Sequence, residues 1–559
     1  MIKTFTDSLL DSYQRYPDKN IINLMKSGFL DQKISYRDLI KGSANYTAEL
    51  NRKGIKPGEV VILVLQHGIE LINAYFGCIL HGAIPSIMPF LTEKLIPERY
   101  RTDLTSLIKI TKPSAIITYS DFNFEIKSAI SDKSSVREVI LIEKIRLCDD
   151  FSTFRGAFCD EEDIVLLQHS SGTTGLQKGV ALSHRAVFNQ LESYQKAIRL
   201  QSNDVIVSWL PLYHDMGLIA CFLMPILLRI PLVIMSPFEW VRAPYKLFTS
   251  ISQYHGTLCW LPNFAFNFCV DKIRDHQLEN INLSSLRAVI NCSEPVRWES
   301  HQKFIERFEK YGLKSKALTA CYAMAENVFA VTQSGIDSQL KTDEIDRDEF
   351  QQLKRANQTS KSNITIKMVS NGRPIENTQI KIISEKGDFL PERQVGQIVI
   401  KSNCMLTEYF NRADETTSSM LDGWFKTGDL GYIADGELYV SGRIKDMIIV
   451  GGKNIYPQDI EYIAMKVEGV LSGRVVAFGL YNEKLGTEEV VVVAEVDIES
   501  INDQEKISET IKREVAQNSA ISLRTVYIVK SKWLIKTSSG KIARRANRDQ
   551  YLKEIDEAK

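Results

Sequence analysis

From Val60 to Glu326 the chain repeats one pattern, a short apolar run, an amphipathic stretch and another short apolar run. VVILVL, HGIELINAYFGCILHG and AIPSIM form the first cycle. A continuous apolar run that gives way to helical spacing and then returns is the signature of a β-α-β unit. SAIITYS and REVILIE read as further strands, and RAVFNQLESYQKAIRL has helical spacing. DVIVSWLPL, PLVIMSP, GTLCWLP, LRAVINCSEP and ALTACYAMAE follow as strands, separated by predicted helices over 218–229, PYKLFTSISQY, 264–277 and ESHQKFIERFEKYG. Wholly apolar strands leave no face for water, so the pattern predicts largely parallel sheets covered on both faces by helices.

After Glu326 the character changes. Residues 334–364 are polar and charged, and TQIKII, GQIVIKS and GELYVSGR then read as short strands. From about Lys445 the order is strand, helix (PQDIEYIAMKV), strands (GRVVAFGL, EEVVVVAEV), helix (DQEKISETIKREVAQ), strand (RTVYIVK) and a basic tail. The expected fold class is therefore α/β. A large N-terminal domain, 1–443, has mostly parallel sheets flanked by helices plus a small β subdomain; a small, mobile α+β C-terminal domain, 444–559, follows. At 559 residues the chain exceeds what one core normally serves.

Charge and cysteine usage narrow the partners. Lys plus Arg equals Asp plus Glu at 69 each, so no net field recruits nucleic acid or an acidic membrane. The nine cysteines are scattered, with no C-x-x-C pair, which reads as free thiols in a reducing compartment. The N-terminus lacks the apolar core and cleavage site of a signal peptide. The longest apolar run, 219–235, contains Pro225, Arg229 and Pro231 and falls short of the roughly 20 residues of a membrane span. A cytoplasmic protein with no integral membrane segment is expected.

Within the repeating pattern, VLLQHSSGTTGLQKGVALSH (165–184) is a strand that empties into a small-residue loop and resumes as a strand. Ser170, Ser171, Gly172, Thr173, Thr174 and Gly175 offer hydroxyls and unblocked backbone N–H groups, with Lys178 just beyond. Such a loop suits a phosphate chain. The spacing Gly-x4-Gly-Lys-Ser/Thr is absent, because Lys178 is followed by Gly179, which disfavours a P-loop nucleotidase. A plain Ser/Thr/Gly linker is the other reading of these residues alone.

Five later stretches carry charged or aromatic groups at strand exits or loops: SWLPLYHDMGL with His214, INCSEPV, ACYAMAE with Tyr322 and Glu326, WFKTGDLGYIADGELYVSGRIKD with Asp429 and Arg443, and KTSSGKIARR with Lys541. Singly each has a bland reading: a turn aspartate, a packed histidine, a solvated basic helix start. Together and in this order they resemble the adenylate-forming enzymes, which include acyl-CoA synthetases, luciferases, peptide adenylation domains and fatty acyl-AMP ligases. The resemblance covers essentially the whole chain. It implies that ATP and a carboxylic acid give an acyl adenylate and pyrophosphate, with Mg²⁺ held by Glu326. By the same resemblance Ser170 to Lys178 hold the β- and γ-phosphates, Lys541 bridges carboxylate and α-phosphate, and His214 orients the carboxylate. Asp429 and Arg443 take the ribose, Tyr322 stacks on adenine, and the backbone of Cys292, Ser293 and Glu294 flanks it. Lys445 matches the hinge of a rotating C-terminal domain, and Gly452 the glycine that lets pantetheine pass. Gln177, Ala323 and Ile535 depart from the family's usual proline, glycine and proline without removing a charged group.

WLPLYHDMGL, MSPFEWVRAP, LPNFAFNFCV, NCSEPVR and KDMIIVGGKNIYPQDIE look most like the fatty acyl-AMP ligases. DEIDRDEF, between Glu326 and Gly372, resembles the insertion of that branch, which is thought to hinder the domain motion that coenzyme A requires; a tolerated surface loop is the alternative. The implied partners are a fatty acid and an acyl carrier protein, or a polyketide or nonribosomal peptide synthase carrier domain. An acyl-CoA or aryl-CoA synthetase using coenzyme A, and a catalytically silent nucleotide-binding module, are the competing readings. Trp260, Phe264, Phe266, Phe268 and Val270 are candidate walls of the acyl pocket, against the alternative of plain core.

Overall fold

The computed structural model describes all of the chain but residues 1–3, 27–29, 91–96, 132, 148–153, 170–177, 359–364, 451–452, 484–485, 498–502, 520, 538–539 and 558–559. Two large sheets form its body. In the first, Ile164–His169, Ile84–Ile87, Val60–Leu63, Ala115–Thr118 and Glu138–Leu141 run parallel, and Gly179–Ser183 and Glu408–Tyr409 extend the edge antiparallel. In the second, Leu318–Ala323, Ala288–Asn291, Leu258–Leu261, Ile206–Ser208, Leu232–Ile234 and Asn20–Leu24 are parallel, with antiparallel strands only at its two edges. Helices such as Tyr36–Arg52 and Ile69–His81 share one continuous apolar core with strands of both sheets. The parallel, helix-covered architecture thus follows from the apolar strands, as the alternation required.

A smaller antiparallel sheet, Thr378–Ile383, Gly396–Ser402, Trp424–Ala434 and Glu437–Arg443 with the short Met420–Leu421, is the β subdomain. Beyond it, Val470–Asn482, Thr487–Val496 and Thr525–Lys530 make a three-stranded sheet with helices Pro457–Ala464, Gln504–Ser519 and Arg544–Glu557. Its two apolar clusters contain no residue before Ile448.

Three stretches differ from the sequence reading. The helix expected over 218–229 is a π-helical run, Met216–Leu223, followed by a short α-helix, Met224–Leu228. Pro225 explains this, since a proline ring collides with the carbonyl four residues back, and Met224 N–H instead reaches five residues back to Ile219 O. The helix expected over 264–277 stops at Lys272 and is followed by a 3-10 turn, Asp275–Leu278. The basic tail is helical over Arg544–Glu557.

The segment containing DEIDRDEF is built structure rather than a surface loop. Thr342–Asp346 pairs with Thr365–Val369, and Asp346 caps the helix Arg347–Leu353 by accepting from Glu349 N at 2.9 Å. Ile345 and Phe350 are buried. The helix side reaches the C-terminal part: Phe350 lies 5.6 Å from the Tyr456 ring, Asn454 Nδ2 donates to Gln351 O at 3.3 Å, and Arg347 Nη1 donates to Asn518 O at 3.1 Å.

Candidate functional site

The antiparallel pair Ile164–His169 and Gly179–Ser183 lies toward one edge of the first sheet. Ser170, Ser171, Gly172, Thr173, Thr174 and Gly175 lie outside the described residues, as does Gly452. Lys178 is described, and its Nζ pairs with Glu415 at 2.6 Å and sits 4.4 Å from the centre of the Tyr409 ring. Tyr409 pairs with Val180 of the hairpin, and its hydroxyl donates to Glu326 Oε1 at 2.8 Å. Tyr409 therefore ties the loop's exit to the candidate metal carboxylate. Burial pushes the Glu326 carboxyl above the usual carboxylate range in spite of that hydroxyl. Val328, two residues on, is held at φ 63, ψ −55, with Phe329 N donating to Asn327 O at 2.6 Å. That is a γ-turn on a β-branched residue, a conformation costing about 1–3 kcal/mol.

Asp429 and Arg443 are cross-strand neighbours in the β subdomain, which sets Arg443 Nε 3.0 Å from Asp429 Oδ1. The second carboxylate oxygen accepts from Tyr322 OH at 2.6 Å. Asp429 is buried and Arg443 half exposed. Tyr322 comes from the central sheet, 107 residues away in sequence, so the cluster stands where the β subdomain meets the strand ends of the second sheet. Lone pairs on the carboxylate remain for further donors.

His214 and Asp215 follow strand Ile206–Ser208. His214 Nδ1 is 2.7 Å from Asp215 Oδ1, which also accepts from Met216 N at 2.7 Å. Desolvation works against the Asp215 anion but is outweighed by His214 and Lys541, so the carboxyl is held below its ordinary value. Across from it, Cys292 is buried, Ser293 adopts the left-handed φ of 70, and Glu294 Oε2 accepts from Phe264 N at 2.9 Å. Lys541 enters from the C-terminal part on a loop fixed by Thr537, whose N–H donates to Lys541 O at 2.7 Å and whose hydroxyl accepts from Lys541 N at 3.1 Å. Its ammonium is held below its usual range, first by desolvation and then by the Arg443 charge, against the opposing pull of Glu294 and Asp215. Lys445 is exposed on the 3-10 turn Ile444–Asp446.

Tyr322, Asp429 and Arg443 thus converge through direct hydrogen bonds, and Lys541 lies near enough to feel the charges of Arg443, Glu294 and Asp215. Of the proposed pocket walls, Trp260 and Phe266 are wholly buried, and the Trp260 indole N–H donates to Tyr194 OH at 2.9 Å. Phe264, Phe268 and Val270 are partly buried, and the tip of the Phe264 ring stands 4.0 Å from a β-carbon placed on Gly540, beside Lys541. Sequence reading missed Tyr409 and Glu415, ordinary residues of the LTEYF–ADETT stretch whose spacing carries no signal. Asp215, adjacent to His214, was visible but its approach to Lys541 was not.

The residues fit a nucleotide and one divalent ion. Among the described residues no group of three or more His, Cys, Asp or Glu could hold a metal alone. One partly desolvated carboxylate, Glu326, suits Mg²⁺, which is commonly bound by one or two carboxylates together with substrate phosphates. The under-compensated Lys541 ammonium suits an anion.

The family model for AMP-binding enzymes matches residues 9–410. A medium-chain-fatty-acid–[acyl-carrier-protein] ligase, JamA, of Moorena producens is 31% identical over 540 residues, covering 93% of this chain and 90% of its own. A long-chain-fatty-acid–AMP ligase, FadD32, of Mycobacterium marinum is 27% identical over 546 residues, covering 89% and 85%. Among solved structures, one from a study of fatty acyl-adenylate ligases of E. coli and L. pneumophila superposes with a TM-score of 0.90 at 26% identity, covering 99% of each chain. The L. pneumophila fatty acyl-adenylate ligase in complex with acyl adenylate and pyrophosphate gives 0.76 at 30% identity, covering 99% of this chain and 96% of its own. With its converging site, its fold and a match over most of its length, the chain belongs to the AMP-binding enzyme family and is an AMP-forming ligase.

Proposed function

We propose that this ligase activates a fatty acid with ATP to an acyl adenylate, and then passes the acyl group to the phosphopantetheine thiol of an acyl carrier protein or of a carrier domain in a polyketide or nonribosomal peptide synthase. The observation that carries the first step is the cluster of Tyr322, Asp429 and Arg443, joined at 2.6 and 3.0 Å, with the Lys541 loop, closed by Thr537, set near enough to feel the charges of Arg443, Glu294 and Asp215. A cation that burial has made costly gains most when two anions, the carboxylate and the α-phosphate, arrive beside it and share charge in the transition state.

In the first step a carboxylate oxygen attacks the α-phosphorus, and the bond to the bridging oxygen of the β-phosphate breaks to release pyrophosphate. Lys541 screens the two anions, and His214, held by Asp215, orients the carboxylate. Asp429 accepts from the ribose hydroxyls, with Arg443 and Tyr322 holding it in place. The Tyr322 ring stacks on adenine, against the backbone of Cys292, Ser293 and Glu294. The loop Ser170–Gly175 and Lys178 hold the departing pyrophosphate. Mg²⁺, bound through Glu326, would neutralise phosphate charge. In the second step the thiol sulfur attacks the acyl carbon, AMP leaves with the electron pair of the broken C–O bond, and the thiol proton is lost. Turning at Lys445 and passage of pantetheine at Gly452 belong to this step, with 1–443 and 444–559 as the two moving domains.

Support for a carrier protein over coenzyme A comes from the segment 342–353. Its contacts with Tyr456, Asn454 and Asn518 restrain the C-terminal part, in keeping with the insertion of the acyl-AMP ligases. The experiment offers pure protein ATP, Mg²⁺ and a panel of fatty acids, then coenzyme A or a holo-carrier protein. Pyrophosphate release with acyl transfer only to the carrier is expected. Abundant acyl-CoA overturns the choice of acceptor, and no pyrophosphate from any acid overturns the activity. Lys541→Ala should lower adenylate formation about 10²–10³-fold while ATP still binds.

A further inference from the structure

Helix Pro457–Ala464 lies between two ion pairs that point in opposite directions. On one side Asp459 Oδ1 accepts from Arg297 Nη2 at 2.7 Å, and the same guanidinium lies 5.3 Å from the Tyr462 ring, one turn further along. Arg297 is anchored in the body of the protein: its backbone N–H donates to Asn263 Oδ1 at 3.1 Å, which also accepts from Asn291 Nδ2 at 3.0 Å. It stands three residues after Glu294. On the other side of the helix Glu461 Oε1 accepts from Arg544 Nη2 at 2.7 Å and from Ala477 N at 2.9 Å. Arg544 also meets Asp446 Oδ2 at 2.8 Å and donates from Nε to Ala477 O at 2.8 Å. It stands three residues after Lys541.

Asp459 and Glu461 are two positions apart, so they leave the helix on nearly opposite faces. The chain of contacts runs from the Cys292–Glu294 loop through Arg297 to Asp459, across the helix to Glu461, and through Arg544 to the Lys541 loop. We propose that Arg297–Asp459 is a latch that sets the register of Lys541 over the site, which makes Arg297, Asp459 and Arg544 positioning residues for adenylate formation. The inference rests on the reading that Lys541 serves that step. The Arg297 and Asp459 side chains are 23% and 31% exposed, so water can take over both partners when the pair opens, and the latch is reversible at small cost. Arg544, by contrast, meets two carboxylates and a backbone carbonyl within the C-terminal part, and holds Lys541 to the helix in either position.

The test uses Asp459→Asn and Arg297→Ala in the full chain, with dodecanoic acid, ATP and Mg²⁺. A lysine set loose by even about 1 Å should lower kcat for pyrophosphate release about tenfold or more, with KM for ATP within about twofold of wild type, since the phosphate and ribose contacts are untouched. The reversed pair Arg297→Asp/Asp459→Arg should recover most of the rate. In a Lys541→Ala background Asp459→Asn should have no further effect, because the latch acts through that lysine. A loss of equal size in both backgrounds overturns the proposal in favour of general destabilisation. Acetylation of Lys541 by acetic anhydride, read by mass spectrometry, should rise several-fold in both single variants. This labelling needs no turnover: if the wild type released no pyrophosphate from any acid the functional reading would fall, and the labelling would still decide the latch, with unchanged labelling overturning it.

Discussion

Gly217 follows the turn that carries His214 and Asp215, and its missing side chain is a structural requirement. A β-carbon there would stand 2.3 Å from Pro211 O, 3.0 Å from Pro211 C and 3.2 Å from Leu210 C. All three are backbone atoms, so no rotamer change relieves the contact. Pro211 O is also the acceptor that closes the turn, taking His214 N–H at 3.2 Å, while His214 O accepts from Leu218 N at 2.8 Å. Gly217→Ala must therefore move the turn by about 1 Å to regain ordinary contact, an overpacking that costs about 1–3 kcal/mol. The better helix propensity of alanine returns at most about 1 kcal/mol. A net loss of roughly 1–2 kcal/mol is expected, with a drop of about 100-fold in kcat, the usual consequence of a catalytic group displaced by 1 Å. Pyrophosphate release and the thermal unfolding midpoint measure both. Gly68→Ala is the control, since Gly68 has extended backbone and nothing within 4 Å of a new β-carbon; it should change neither. Wild-type kcat and midpoint in Gly217→Ala would refute the reasoning.

Two further outcomes concern stability. Asp204 is 1% exposed and accepts from Arg287 Nε at 3.0 Å and Nη2 at 2.7 Å, as well as from Gln201 N and Thr257 Oγ1, each at 2.7 Å; Asp204→Ala should cost about 3–5 kcal/mol in urea unfolding, with the activity of the remaining folded protein unchanged. Burial pushes His184 down to about 4 and His301 to about 3, and His184 Nδ1 accepts from Phe5 N at 3.1 Å, which requires the unprotonated nitrogen. Their folded pKa values lie below that of the unfolded chain, near 6.5, so between these values the unfolded state binds more protons and stability falls as pH falls. The loss should begin near pH 6.5 and level off below about pH 3; a calorimetric midpoint that stays flat from pH 7 to pH 4 contradicts it.

The sequence by itself determined the layers and offered the candidate chemistry-bearing groups. Apolar strands such as VVILVL can be buried on both faces only under helices, so the parallel sheets were legible from Val60 onward. His214, Glu326, Asp429 and Lys541 could be named as candidates from the sequence because few side chains can handle carboxylate, metal, ribose and phosphate charge; the structure sets His214, Glu326 and Lys541 in turns or loops, and Asp429 within strand Trp424–Ala434. What the tertiary structure alone decided are the partners. Tyr409 meets Glu326 across 83 residues, Tyr322 meets Asp429 across 107, and Arg297 meets Asp459 across 162. No local periodicity encodes such pairs, because a tyrosine or aspartate reads the same in sequence whether it faces water or a buried carboxylate. The strained turn at Val328 is likewise invisible, since the apolar stretch Val328-Phe329-Ala330-Val331 alone argues for a strand and only surrounding contacts hold Val328 at positive φ. Local physics chose the elements and the reactive groups; long-range packing chose which of them touch, and therefore how much each charge is worth.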